Sequence, residues 1–294
     1  MSQAAFELAA RALGRFTDVH QRPPFPQLYR RVVARLAQPG AVVEVDGQWM
    51  HLDRLDSLEI GARGEHEPVE TLVCDACLRP GQTVVDLGAN IGYFTLRFAR
   101  AVGPEGHVFA FEPDAENYGL LVENIGRNGH GNVTAEPQAA GAVTGVAQLY
   151  RSATSHGDHR LRAAAELRPS VEVRVVALDD YPDLQGRVVD FAKVDIQGAE
   201  FDAVRGMQRI LRETPAIRML IEFCPYLLRR SGEDPGAFLN YLESLGLTVY
   251  HVDGRRHRIE RVPFDQLLAH FDGGSDYSTN LFCARSPPPA GLRL

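Results

Sequence analysis

The chain is nearly devoid of lysine: Lys193 is the single one, and arginine supplies the rest of its 31 basic residues. Against 38 acidic residues the formal net charge is -7, so there is no basic surplus to neutralise phosphates. That balance excludes a non-specific nucleic-acid or acidic-membrane binder, and the arginine bias itself reads as genome composition. Long apolar runs are also missing. None approaches the roughly 20 residues needed to span a bilayer, and the N-terminus lacks the apolar core of a signal peptide, so the expected address is the cytoplasm. Cys74, Cys77, Cys224 and Cys283 are too few for a disulfide framework in 294 residues. Cys74 and Cys77 form a C-x-x-C, but no second pair and no histidine at finger spacing accompany it. It falls in an expected helix and reads as reduced packing rather than zinc. With 45% hydrophobic and 23% charged residues, the composition suits one large α/β domain with an appendage.

What is present is concentrated in one run, Val84-Val85-Asp86-Leu87-Gly88-Ala89-Asn90-Ile91-Gly92-Tyr93-Phe94-Thr95: a buried strand, a glycine turn and a helix start. A second strand, Val108-Phe109-Ala110-Phe111, ends on Glu112. Two such parallel strands bring a tight turn and an acidic side chain to one carboxyl edge, where open α/β sheets bind ligands. Gly88 and Gly92 allow close backbone approach, and Glu112 is placed to accept hydrogen bonds from ribose hydroxyls. The dinucleotide pattern G-x-G-x-x-G is absent, its later glycine positions being held by Asn90 and Tyr93. Asp86 would repel a pyrophosphate and pair with an ammonium group. Adenosine at one end and an amino acid at the other describe S-adenosylmethionine.

The flanking chain reads as follows. Residues 1–40 form a helical appendage interrupted at Pro23, Pro24 and Pro26. A hairpin turns at Asp46-Gly47, and a helix starts at Glu67-Pro68. Asp114 caps a helix that Asn128-Gly129 stops. A third strand is expected at Val133-Thr134-Ala135, and an alternating pair, Val146–Tyr150 and Val171–Val175, flanks a long segment near residues 152–170. Its length points to a functional or mobile element. Further strands deliver Asp195 and Glu222 to the carboxyl edge. Leu247–His251 and Thr279–Cys283 close the sheet, the last strand antiparallel. The main α/β domain is expected over residues 41–285, and the tail 286–294, with Pro287-Pro288-Pro289, is expected to be disordered.

At this point the residues resemble the FkbM family of class I S-adenosylmethionine-dependent methyltransferases. The resemblance is carried by Val85 through Thr95, by Phe111-Glu112-Pro113, by Leu178-Asp179-Asp180 and by Lys193-Val194-Asp195-Ile196-Gln197-Gly198-Ala199-Glu200. It covers residues 41–285, with Gln197 where many relatives have glutamate. It implies a Rossmann-like α/β fold with a seven-stranded, mostly parallel sheet whose last strand is antiparallel. By position, Asp86, Gly88, Asn90 and Gly92 would hold the methionine end, with Tyr93 and Thr95 in the same motif. Glu112 would hold the ribose, Pro113 and Asn117 the adenosine side, and Ala139 or Ala140 the adenine edge. Asp195 would face the transfer centre. Glu67 either approaches the cofactor or stabilises its own helix.

The implied activity is O-methylation of a hydroxyl on a small molecule: a natural product, polyketide or sugar moiety. Candidate bases are His156, Asp158 and His159 in the long segment, with His159 and Asp158 first, and Asp195 and Glu222 at the sheet edge. Asp195 and Glu222 could instead bind Mg²⁺, joined by Asp179 and Asp180, although the latter pair reads better as a cap of the short helix after its strand. No essential metal is the preferred reading. The alternatives are a non-catalytic cofactor-binding scaffold and a nicotinamide oxidoreductase, the second opposed by Asn90, Tyr93 and Asp86. Residues 1–40 are a candidate dimer surface.

Overall fold

A computed structural model describes residues 40–152, 157–161, 169–273 and 277–289. The expected N-terminal appendage and the last residues of the tail lie outside the described residues, as does His156. The chain opens with a hairpin, β1 (Val42–Val45) and β2 (Gln48–His51), then α1 (Ile60–Arg63) and α2 (Pro68–Cys77). Next come β3 (Thr83–Leu87), α3 (Tyr93–Val102), β4 (His107–Phe111), α4 (Ala115–Arg127) and β5 (Val133–Glu136). Three strands follow, β6 (Gln138–Ala140), β7 (Gly145–Tyr150) and β8 (Ser170–Val176). The rest runs β9 (Phe191–Val194), α5 (Glu200–Arg205), α6 (Gln208–Glu213), β10 (Arg218–Phe223), α7 (Pro225–Arg230) and α8 (Pro235–Ser244). It closes with β11 (Thr248–Asp253), β12 (Arg258–Glu260), α9 (Phe264–His270) and β13 (Thr279–Ala284). No described helix is long and apolar enough to cross a membrane.

The main sheet has eight strands in the order β12-β11-β13-β10-β9-β3-β4-β5. Strands β10, β9, β3, β4 and β5 pair in parallel, and β13 inserts antiparallel between β10 and β11. The expected count of seven is exceeded by β12, a three-residue strand that pairs antiparallel with β11. Arg258-Ile259-Glu260 is too short and polar to show a strand alternation. The alternating pair β7 and β8 does not join the main sheet. It forms a separate three-stranded sheet with β6, in the order β6-β8-β7.

Helices cover both faces of the main sheet, and so its central strands are apolar runs rather than alternations. Val85, Leu87, Phe109 and Phe111 are buried in one layer with Met207, Phe223 and Phe238. Val84 and Val108 are buried in the other with Phe98, Phe191 and Phe282. All four cysteines are free and buried, with Cys74 and Cys77 packed on α2.

The hairpin turns through Asp46 and Gly47, both at positive φ (51° and 76°), the arrangement that matches strand twist in a two-residue turn. It is fastened to α4 by asparagines. Asn124, fully buried, accepts from the His51 N–H (2.6 Å) and donates to the Ile91 (2.8 Å) and His51 (3.1 Å) carbonyls. Asn128 brackets Trp49 in the same way, accepting from its N–H and donating to its carbonyl. Asn124→Ala strands buried backbone groups of two segments, and we expect a loss of about 1–3 kcal/mol in urea denaturation. An unchanged midpoint would show that the hairpin and the glycine turn are held by other contacts.

Candidate active site

Leu87, Phe111 and Val194 are register partners at the ends of β3, β4 and β9, so the segments after them leave the sheet side by side. The backbone itself ties them together. The N–H groups of Gly88 and Ala89 both donate to the Phe111 carbonyl (3.0 and 3.1 Å), and the Asp195 N–H donates to the Leu87 carbonyl (3.0 Å). Gly88 sits at φ 83°, and a Cβ there would stand 1.9 Å from the Asp195 carbonyl oxygen, so only glycine lets these segments close up. Gly92, at φ 99°, serves a different contact: its missing Cβ makes room for Leu121 of α4, 2.9 Å away. It packs α4 behind the turn and is not among the residues that line the cavity.

The cavity above these strand ends is lined on the turn side by Asp86, Gly88, Ala89, Asn90 and Tyr93. Glu112, Pro113, Asn117, Ala139 and Ala140 line it beyond β4, and Glu67, Asp158, His159 and Asp195 also face it. Glu112 is buried, and its two carboxylate oxygens accept from the N–H groups of Asn90 and Asp114, both at 2.9 Å. Burial nevertheless pushes its carboxyl up to about 7, these N–H bonds pulling the other way. Asp86 is buried too, and burial pushes it up to about 6 while the charge of Lys193 and a hydrogen bond from Thr95 lower it. Thr95 Oγ1 reaches Asp86 Oδ2 at 2.6 Å, whereas Asp86 Oδ1 has no partner among the described residues. Thr95 is fully buried, so it positions Asp86 and does not touch the cavity.

Glu67 occupies the N-cap position of α2 at φ 45° without making a side-chain cap hydrogen bond. Its carboxylate turns instead toward Lys193 Nζ at 3.9 Å. Lys193 is buried among acids, 2.7 Å from Asp195 Oδ2 and with its ammonium 4.5 Å from the centre of the Phe94 ring. Burial works against the ammonium, but Asp195, Glu67 and Asp86 outweigh it and push its pKa up. Burial likewise works against ionised Asp195, and the charge and hydrogen bond of Lys193 outweigh it, holding that carboxyl below its ordinary value. Asp195 is thus an ion-pair partner and hydrogen-bond acceptor rather than a strong base.

The other proposed bases are placed as follows. Asp158 is engaged by Arg160, whose Nε donates to Asp158 Oδ1 at 2.7 Å. His159 Nδ1 accepts the Ser152 N–H at 3.0 Å, so a neutral ring carries its proton on Nε2, which lies 3.8 Å from Asp114 Oδ2. In this arrangement the ring offers a proton and does not receive one. Glu222 lies inside β10 opposite Asn280 and does not line the cavity. Gln197 Nε2 stands between the two edge carboxylates, donating to Asp195 Oδ1 (3.2 Å) and Glu222 Oε2 (2.8 Å). An amide N–H₂ fills the position a cation would take. Among the described residues no group of three or more His, Cys, Asp or Glu is arranged to hold a metal. Asp179 is far from this edge in role. It caps α6, accepting from the N–H groups of Arg209 and Ile210 rather than capping the turn it belongs to. Asp180 accepts from Thr144.

Two ionisable residues of the lining, Lys193 and His66, are not among the site residues expected from the sequence, nor are apolar ones such as Phe94 and Ile196. Lys193 is the sole lysine and opens the Lys193–Glu200 block, and His66 stands directly before Glu67.

The sequence profile described as "Methyltransferase FkbM domain" matches residues 86–248, more than half of the chain. Methyltransferase 1 of Beauveria bassiana is 28% identical over 146 residues, 42% of this chain and 57% of that protein. Methyltransferase sdnD of Sordaria araneosa is 29% identical over 155 residues, 42% of this chain and 60% of that protein. The chain therefore spans less than two-thirds of the length of these curated relatives. Among solved structures, a SAM-dependent O-methyltransferase from Thermotoga maritima is similar over 85% of this chain and 78% of that chain, at 16% identity and a TM-score of 0.41. By the profile match over its central sheet, the chain belongs to the FkbM family of S-adenosylmethionine-dependent methyltransferases.

Proposed function

We propose that this family member methylates a hydroxyl group of a small, non-anionic acceptor, such as a natural product, polyketide or sugar moiety. The observation that carries the reading is the sign of charge around the cavity. Glu67, Asp86, Glu112 and Asp195 line it, and the buried cation among them is Lys193. Such a lining suits a ligand bearing a sulfonium and an ammonium, and Asp86 Oδ1, buried without a partner among the described residues, is an acceptor suited to such a donor. Glu112 accepts one backbone N–H on each oxygen and a further hydrogen bond from the Asn117 side chain, which leaves a carboxylate acceptor site for a ribose hydroxyl. Ala139 and Ala140 give a small apolar wall of the kind an adenine ring needs.

When bound, the cofactor supplies an electrophilic methyl group, so the chain's main task is to align an acceptor with it, a contribution of roughly 7–11 kcal/mol in favourable cases. The same acidic lining selects the acceptor. Carboxylates and phosphates are repelled, and an amine is held as its ammonium form, without a lone pair to attack. A hydroxyl stays neutral and can donate to Asp195.

Incubation with cofactor carrying a ¹³C methyl group and pools of glycosides and polyketides is expected to yield label whose carbon resonance is that of a methyl ether. Label on nitrogen or carbon would overturn the hydroxyl assignment. The raised carboxyls add a pH signature. Protonated Glu112 and Asp86 must ionise to meet cationic and hydrogen-bond-donating ligand groups, so binding releases protons and tightens as pH rises through about 6 to 7. We expect affinity for S-adenosylmethionine to rise by about a hundredfold from pH 5.5 to 7.5 in calorimetry if both groups ionise on binding. A flat profile would show that neither group changes protonation on binding.

A further inference from the structure

We propose that His66 is the general base of the transfer, an assignment that rests on the methyltransferase reading above. His66 enters the cavity just before α2, and its tautomer is fixed by its surroundings. Nδ1 lies 3.0 Å from the Leu58 carbonyl, which can only accept, so Nδ1 carries the proton and Nε2 keeps the lone pair. This is the opposite arrangement to His159, whose Nδ1 is itself the acceptor.

Packing holds the ring in place. Tyr93 meets it edge-on with centroids 5.4 Å apart and an interplanar angle of 87°, and Phe94 stands 6.3 Å away. The charged groups that share the cavity with it include Glu67, Asp195 and Lys193. Glu67 Oε1 is 3.7 Å from Nε2, too far for a hydrogen bond and near enough to stabilise a cation. Asp195 lines the same cavity. Lys193 opposes them, but its ammonium is already paired with Asp195 at 2.7 Å and directed at Glu67. A base oriented by a carbonyl at one nitrogen, with the Glu67 carboxylate 3.7 Å from the other, is the arrangement proton abstraction needs.

The step balances without a further reactant. The acceptor's hydroxyl oxygen forms its bond to the methyl carbon as the carbon–sulfur bond breaks, with that electron pair staying on sulfur. The hydroxyl proton passes to His66 Nε2, and the imidazolium then releases it to water. Asp195 holds the hydroxyl as an acceptor, and His66 takes the proton.

The test uses the full-length protein labelled with ¹⁵N-histidine, with His66→Asn to assign the resonances. The asparagine amide can still donate to the Leu58 carbonyl but has no basic nitrogen. We expect wild-type His66 to show a protonated Nδ1 and a bare Nε2. We also expect the Nε2 resonance to differ between the S-adenosylmethionine and S-adenosylhomocysteine complexes, which differ by the charged methyl group. His66→Asn should bind both compounds within about threefold of wild type. With the acceptor found by labelling, its turnover should fall by about 10²–10⁴-fold. A protonated Nε2, or identical Nε2 resonances in two demonstrably bound complexes, overturns the assignment. Failure of the wild-type protein to bind either compound is a different result and overturns the cofactor reading itself.

Discussion

The carbonyl of Phe111 accepts two hydrogen bonds from the glycine turn, and the rest of the site depends on that junction. Gly88 and Ala89 donate to it, and two residues on Asn90 donates to the Glu112 carboxylate. The turn after β3 is thereby closed onto the end of β4, and the Asp195 N–H closes the end of β9 onto β3 from the other side. Three parallel strands in register thus become one surface of backbone and acid. A side chain at Gly88 would occupy the space of the Asp195 carbonyl, which makes this the position where the sequence has least freedom.

That surface is costly in electrostatic terms, and the cost is informative. Glu112, Asp86 and Glu200 are buried carboxyls pushed up to about 7, 6 and 7 by burial, and Glu222 is raised by burial and by its acidic neighbours. Several have structural partners: Glu200 accepts the N–H groups of Ile196 and Gly198 and so fixes the turn after β9. Asp86 Oδ1 has no such partner among the described residues. Burying acids without enough cations destabilises a fold, and two of these, Asp86 and Glu112, lie at the cavity wall, where a cationic ligand would offset them. The lone lysine holds the arrangement together by pairing with Asp195 and leaning toward Glu67.

Local rules made much of this legible. The positive-φ pair Asp46-Gly47, the Asp114 cap that accepts from Glu116 and Asn117, and the strand-turn-helix at Asp86 through Thr95 all depend on neighbours within a few residues. Glu112 and Asp195 could be placed because a parallel sheet puts successive strand ends on one edge. What stayed hidden depends on distant partners. Gly92 looks like a ligand-facing glycine until Leu121 of α4 arrives beside it. The pair β7 and β8 has the alternation of any half-buried strand, and only the pairing with β6 removes it from the main sheet. His66 is one histidine among 10 until the Leu58 carbonyl and the Tyr93 ring fix its tautomer and direction.

The central claim is that the junction of β3, β4 and β9 is built to hold a sulfonium nucleoside. The most direct measurement is a calorimetric titration of the folded protein with S-adenosylmethionine and, separately, with S-adenosylhomocysteine. Saturable binding of each at one site per chain is the predicted result. Absence of association for both compounds at millimolar concentration, in protein shown to be folded, would contradict it.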